Sequence, residues 1–136
     1  MKVELNHEDL GEGWIYDTDL NQVSNIYEGP YDTGNINIVR VKEQDEKILA
    51  SLLGLMMLKT QRKYIPFIKE CISSGNAYIM MEKGIVIPVV VIERLKWLGI
   101  DCFISENFIT DAKCILFVPK TDEDNAMFQY YFTVQQ

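Results

Sequence analysis

"GWIYDTDLNQVSNIYE", residues 13–28, decides how the chain begins. Read as a hairpin, "GWIYD" and "QVSNIYE" are two strands and "TDLN", residues 18–21, is the polar turn between them. Read as a calcium loop, residues 17–28 place Asp17, Asp19, Asn21, Asn25 and Glu28 at the first, third, fifth, ninth and twelfth positions. The oxygen spacing fits the second reading, but its frame does not. Gln22 stands where such a loop needs glycine, and Ser24 stands at the eighth position, where an apolar residue is usual. Glycine-rich "GEGWIY" leads in and Gly29–Pro30 leads out, so neither flank is a helix. The alternation in "QVSNIYE" also belongs to a strand. The hairpin is expected, and no residue is assigned to a metal or cofactor.

Outward from the hairpin, "MKVEL" reads as a short first strand and "GPYDTG", residues 29–34, as a loop. "NINIVRV" follows with Ile36 and Ile38 on one face and Val39 and Val41 on the other, the pattern of a central strand. Residues 1–42 therefore form a β-rich, acidic part.

Residues 43–75 form a helical part. "EQDE" places acids in a first turn, where the helix dipole favours them. "KILASLLGLMMLK" is apolar around most of the wheel, except for the small sector Ala50, Ser51 and Gly54. A glycine in mid-helix costs about 1 kcal/mol against alanine, so this sector is read as a place where another backbone comes close, in the same chain or in a second copy. "TQRKYIPFIKECISSG" gives a second helix with Pro66 in its first turn and Gly75 as its cap.

In residues 76–136, "NAYIMMEKGIVI" reads as a strand, a turn at "EKG" and a short extended piece. "PVVVIERLKWLG" is a helix running from Pro88 to just before Gly99, with Val91, Ile92, Leu95 and Leu98 in one stripe and Val90 and Trp97 on another side. "IDCFI" is a strand. "CILFVP" and "MFQYYFTVQ" flank polar "KTDEDN" as a final hairpin. The whole is expected to be a single α+β domain over 1–136: a β meander, two central helices, then β-α-β and a hairpin, packed as one mixed sheet with helices on one side. One parallel βαβ unit within 77–118 is compatible with it.

Bulk properties narrow the classes of function. With 48% hydrophobic and 24% charged residues the composition is globular, not that of a disordered chain. The most apolar run, residues 77–92, is interrupted by Glu82, Lys83 and Pro88 and falls short of the roughly 20 residues a spanning helix needs. No leader-like N-terminus is visible, and a soluble, cytoplasmic protein is expected. Cys71, Cys102 and Cys114 are scattered and odd in number, which argues for buried thiols over a disulfide framework. A net charge of −7 disfavours non-specific nucleic-acid binding. The charge is also segregated: residues 1–46 hold eleven acids and three bases, residues 47–99 three acids and eight bases.

Chemistry-bearing motifs are sparse. His7 is the sole histidine, so a transition-metal site lacks partners. No phosphate loop and no nucleophile elbow occur, and a non-enzymatic protein is expected. Two clusters remain. The first interleaves aromatics and acids, Trp14, Tyr16, Asp17, Asp19, Tyr27 and Tyr31, as a surface for a basic protein partner would. The second is basic, Lys59, Arg62, Lys63 and Lys69 with Tyr64 and Phe67 among them, and suits a nucleotide or another anion. The leading expectation is a small acidic protein that binds another protein as an inhibitor or accessory factor, of the kind phages and mobile elements encode. A small-ligand module, or a component of a larger assembly, is the alternative. Self-association is expected through the Ala50–Gly54 face or the Val90–Trp97 side.

Overall fold

A computed structural model describes residues 1–7, 10–27, 29–31, 38–42, 63–82, 84–109, 111–132 and 134–135. The class is α+β. The expected helix over 43–60, with its Ala50–Gly54 face, lies outside the described residues. The chain divides into two compact units, residues 1–36 with 84–99, and residues 37–83 with 100–136.

The first unit carries an antiparallel four-stranded sheet in chain order: β1 (Lys2–Glu4), β2 (Trp14–Asp17), β3 (Gln22–Asn25) and β4 (Gly29–Tyr31). Asp17 pairs with Gln22 and Trp14 with Asn25, so "TDLN" is the turn, as expected. Asn21 takes a positive φ of 50° there, which asparagine tolerates better than most residues. Asp17 Oδ1 accepts from the N–H groups of Asp19 and Leu20, a local side-chain bond that fixes the reversal. Residues 29–31, expected as loop, form the edge strand β4. Its Pro30 stands opposite Ser24, and an edge tolerates a residue with no N–H.

One helix completes this unit. It spans Val86–Leu98 and begins two residues before Pro88, so "IVI" is not extended but helical. Proline is tolerated there because the first-turn N–H groups have no partner inside a helix. Gly99 ends it at φ 72°, as a left-handed cap. Val86, Val89 and Val90 pack with Leu5, Tyr16 and Val23 from the sheet, and Trp14 and Leu10 rest against them. Val90 is therefore core, which removes half of the expected Val90–Trp97 contact side. Trp97 is exposed and donates from Nε1 to Glu93 Oε1 at 3.0 Å.

The second unit holds a five-stranded sheet. Beyond β5 (Ile38–Arg40), its strands are β6 (Tyr78–Glu82), β7 (Cys102–Ile109), β8 (Ala112–Pro119) and β9 (Val134–Gln135), in the order β7-β8-β6-β5-β9. All neighbours are antiparallel except β5 and β9. β5 lies between β6 and β9, as its two apolar faces demand. β6 and β7 both run antiparallel to β8, so β8 separates the two parallel strands of the expected βαβ unit.

The expectation of one sheet with helices on one side is thus corrected twice. Among the described residues there are two sheets, and the larger has a helix on each face. On one face Cys114, Leu116 and Val118 meet Ile68, Cys71 and Ile72 of the helix Ile65–Ser73. Here Pro66 does stand in the first turn, and Gly75, at φ 77°, follows the last one. On the opposite face Phe117 and Tyr78 meet Phe128, at 5.8 and 4.5 Å between ring centroids. Phe128 belongs to a third helix, Asp122–Tyr131, where "MFQYYFTVQ" is expected to be the second arm of a final hairpin. The physical reason lies in "TDED". Thr121 caps the helix, its Oγ1 accepting from the Asp124 N–H at 3.0 Å, and three acids fill the first turn. Phe128 and Phe132, four apart, are buried. From here the helices are α1 (Ile65–Ser73), α2 (Val86–Leu98) and α3 (Asp122–Tyr131). Among the described residues no helix is long and apolar enough to cross a membrane.

Candidate functional site

The two ends of the β2–β3 hairpin differ in chemistry. At the turn end Asp17 and Asp19 face the amino group of Met1, with Asp19 accepting a close hydrogen bond from it and Asp17 Oδ1 3.9 Å away. Thr18 reinforces the same junction, its N–H donating to Met1 O at 2.8 Å. The acids expected on a partner surface are thus engaged with the start of β1. The oxygens of residues 17–28 also diverge, because Asp17 and Asn25 lie at opposite ends of the extended β3 pairing. Asn21 Oδ1 accepts from the Tyr16 hydroxyl at 2.6 Å. Geometry therefore favours the hairpin over the calcium loop.

The other end opens into a groove of about 630 Å³, lined by Glu4, Leu5, His7, Leu10, Glu12, Gly13, Ile26 and Tyr27 among others. Ile26 is 62% exposed and Tyr27 74%, a pair of large apolar side chains left in water. Their backbone is fixed. The Ile26 N–H donates to Gly13 O at 2.9 Å, and the Tyr27 N–H to Asn25 Oδ1 at 2.9 Å. Buried Asn25 in turn donates from Nδ2 to Glu12 O at 3.2 Å. Gly13 sits at φ 87°, and a Cβ placed on it would stand 2.7 Å from Ile26 Cγ1. Glycine is required here both for the backbone and for the space under Ile26. The groove thus combines an apolar wall, two carboxylates and a histidine.

The expected aromatic–acidic surface is only partly assembled. Tyr27 lines the groove and Trp14 lies half-buried at the same end of the hairpin. Tyr16 is a correction: at 1% exposure it is core, so it cannot present its ring to a partner. Burial raises its phenol above the usual range. Asp17 and Asp19 lie at the far end, and Tyr31 ends β4 opposite Val23. Sequence reasoning missed Glu4, Glu12 and Ile26. They come from separate segments, and only the antiparallel pairings of β1, β2 and β3 bring them together.

Of the basic cluster, Lys59 and Arg62 lie outside the described residues, while Lys63 and Lys69 are exposed. Tyr64 and Phe67 meet Phe103 of β7, at 4.8 and 6.1 Å between centroids. Lys63 Nζ stands 5.0 Å from the Tyr64 ring and Lys120 Nζ 4.9 Å from the Phe103 ring, so two ammonium groups flank one aromatic pair. Phe103 and Lys120 had no signal in the sequence tying them to residues 59–69.

The three thiols carry no disulfide. Burial pushes Cys102 up to about 12, and Cys71 and Cys114 are raised for the same reason. Such thiols are poor nucleophiles at neutral pH. Among the described residues no three His, Cys, Asp or Glu side chains converge as metal ligands would. Compared with protein-family models, curated proteins and solved structures, the chain has no match in any of the three.

Proposed function

We propose that this chain acts by binding another protein, as an inhibitor or accessory factor, through the groove at the Trp14–Asn25 end of the hairpin. The observation that carries this reading is the exposed Ile26–Tyr27 pair beside Glu4 and Glu12. An apolar anchor from the partner packs against Ile26 and Tyr27, and its lysines or arginines meet the two carboxylates. Tyrosine at the rim supplies contact area at small entropic loss, and the acids speed encounter with a basic segment. The test uses peptides carrying one large apolar residue flanked by lysine and arginine. Binding is expected to be saturable, to weaken with salt, and to be lost in Tyr27→Ala and in Glu4→Lys with Glu12→Lys. Asp17→Ala with Asp19→Ala is expected to keep it. Equal binding by all variants, or none by the wild type, contradicts the proposal.

A second reading, a nucleotide or other anion held in the second unit, is favoured by the two lysines flanking Tyr64 and Phe103. A nucleotide that binds only the native state raises the melting temperature. The rise is expected to vanish in Lys63→Ala with Lys120→Ala.

A further inference from the structure

Arg40 is the charged residue of β5. It stands opposite Tyr78 of β6, on the face of the sheet where Tyr78 stacks on Phe128 of α3. Two contacts hold its guanidinium. Nη1 donates a close hydrogen bond to Gly75 O, and Cζ lies 5.6 Å from the centre of the Tyr78 ring. Nε is buried and makes no hydrogen bond. Among the described residues no carboxylate pairs with Arg40, although the chain holds 20 acids. A buried N–H without an acceptor is costly, and on a cation more so. Such an orphan calls for a reason.

The groups around it are amides and a phenol, and their bonds run in one direction. Gln129 Nε2 donates to the Tyr78 hydroxyl at 2.9 Å, and that hydroxyl donates to Asn125 Oδ1 at 2.5 Å. Asn125 Nδ2 then donates to Asn76 Oδ1 at 3.2 Å. Asn76 thus turns its oxygen to Asn125, and no acceptor among the described residues meets its Nδ2. Asn76 directly follows Gly75, so a second donor without an acceptor belongs to the same corner. Arg40, Asn76 and Asn125 are half-buried and Gln129 is exposed, so the corner reaches the surface.

We propose that this corner is a binding site for a small oxyanion, a phosphate or carboxylate group, held by Arg40. The Nε–H and one N–H of Nη2 lie parallel along one edge of the guanidinium, the edge that takes two oxygens of such a group. The bond to Gly75 engages Nη1, on the other side, and so leaves this edge to the ligand. Because Nε is closed to solvent, an oxygen reaches it by a small outward tilt of the guanidinium, with Nη2 leading. Asn76 Nδ2 adds a neutral donor. The site lies wholly in the second unit. It shares no residue with the groove of the first unit, nor with the Lys63–Lys120 pair.

Arginine Nε–H signals in proton–nitrogen NMR spectra read this atom directly, and Arg40→Lys identifies the signal by its loss. Inorganic phosphate and acetate are titrated separately into the whole chain, at constant ionic strength against chloride. A saturable shift of the Arg40 Nε–H signal is expected. Response to phosphate alone identifies phosphate groups as the ligand, to acetate alone carboxylates, and to both an oxyanion of either source. The midpoint is expected to rise about threefold in Asn76→Ala, the loss of one neutral hydrogen bond. It is expected to stay unchanged in Lys63→Ala with Lys120→Ala. The active anion is also expected to raise the melting temperature of wild type. That rise is expected to be lost in Arg40→Lys, which keeps the charge but not the fork. Melting curves without anion show whether Arg40→Lys folds, and the wild-type titration decides the matter where it does not. No saturable shift with either anion overturns the proposal. So does an equal rise in melting temperature for wild type and a folded Arg40→Lys.

Discussion

The two sheets of this protein bury themselves differently. β8 in the second unit is buried at all eight positions, because α1 covers one face and α3 the other. β3 in the first unit alternates, with Val23 and Asn25 buried and Gln22 exposed. Its sheet has one described helix, and its hairpin end carries Ile26 and Tyr27 into water. A strand enclosed on both sides has no side chain left for recognition. A strand covered on one side keeps a face and two ends for it. The larger sheet thus holds the more enclosed strand, and the smaller one leaves more of its side chains at the surface.

Four experiments sharpen or break that contrast. Phe128→Ala removes the ring that joins Tyr78, Phe117 and Phe132 across one face of the larger sheet. A loss of about 3–5 kcal/mol is expected in urea unfolding. A loss under 1 kcal/mol would mean that this face is not the anchor. Alkaline pH ranks second. Tyr78 and Cys102 are both raised by burial, from ordinary values of 10.0 and 9.0. The native state holds these protons more tightly than the unfolded chain. The contribution is therefore full below pH 9 and is lost as pH climbs through the raised folded values. Melting temperature is expected to fall steadily above pH 9, and Cys102→Ala to flatten the first part of that fall.

The third experiment moves to the first unit. Gly13→Ala forces a side chain onto a left-handed backbone and against Ile26. About 1–2 kcal/mol of stability is expected to go, together with peptide affinity, as Ile26 shifts. Smallest in stability is Tyr27→Ala, where a change within about 0.5 kcal/mol is expected at so exposed a site. If binding by the groove survives it, the contrast between an enclosed sheet and one proposed to bind a partner fails at its second term.

What could be read from the sequence was local. The turn at residues 18–21, Pro66 in a first helical turn, and Gly75 and Gly99 as caps all depend on the conformational limits of single residues, and all stand where expected. What could not be read was decided between distant residues. The polar "KTDEDN" between two apolar runs suggested a hairpin turn, but the Thr121 cap and the Phe128–Phe132 spacing made a helix. Tyr16 looked like a surface aromatic among acids. Its cross-strand partner Val23 shows that both belong to the inner face. The groove needed Glu4, Glu12 and Ile26 at once, from segments with no shared pattern.

The placement of α2 also constrains how the chain can be made. The helix lies between β6 and β7, two strands of the second unit, yet it packs in the first. As the chain emerges during synthesis, the β meander cannot be closed by its helix until residue 98 has appeared. By then β6 and its neighbour β5 are already out, while β8, the neighbour on its other side, is not. Neither unit is thus a contiguous segment that can be cut free or finished alone. Both wait on contacts of long sequence separation, a topology that slows folding. A chain truncated after residue 36 leaves Tyr16 and Val23 without the valines of α2 that cover them.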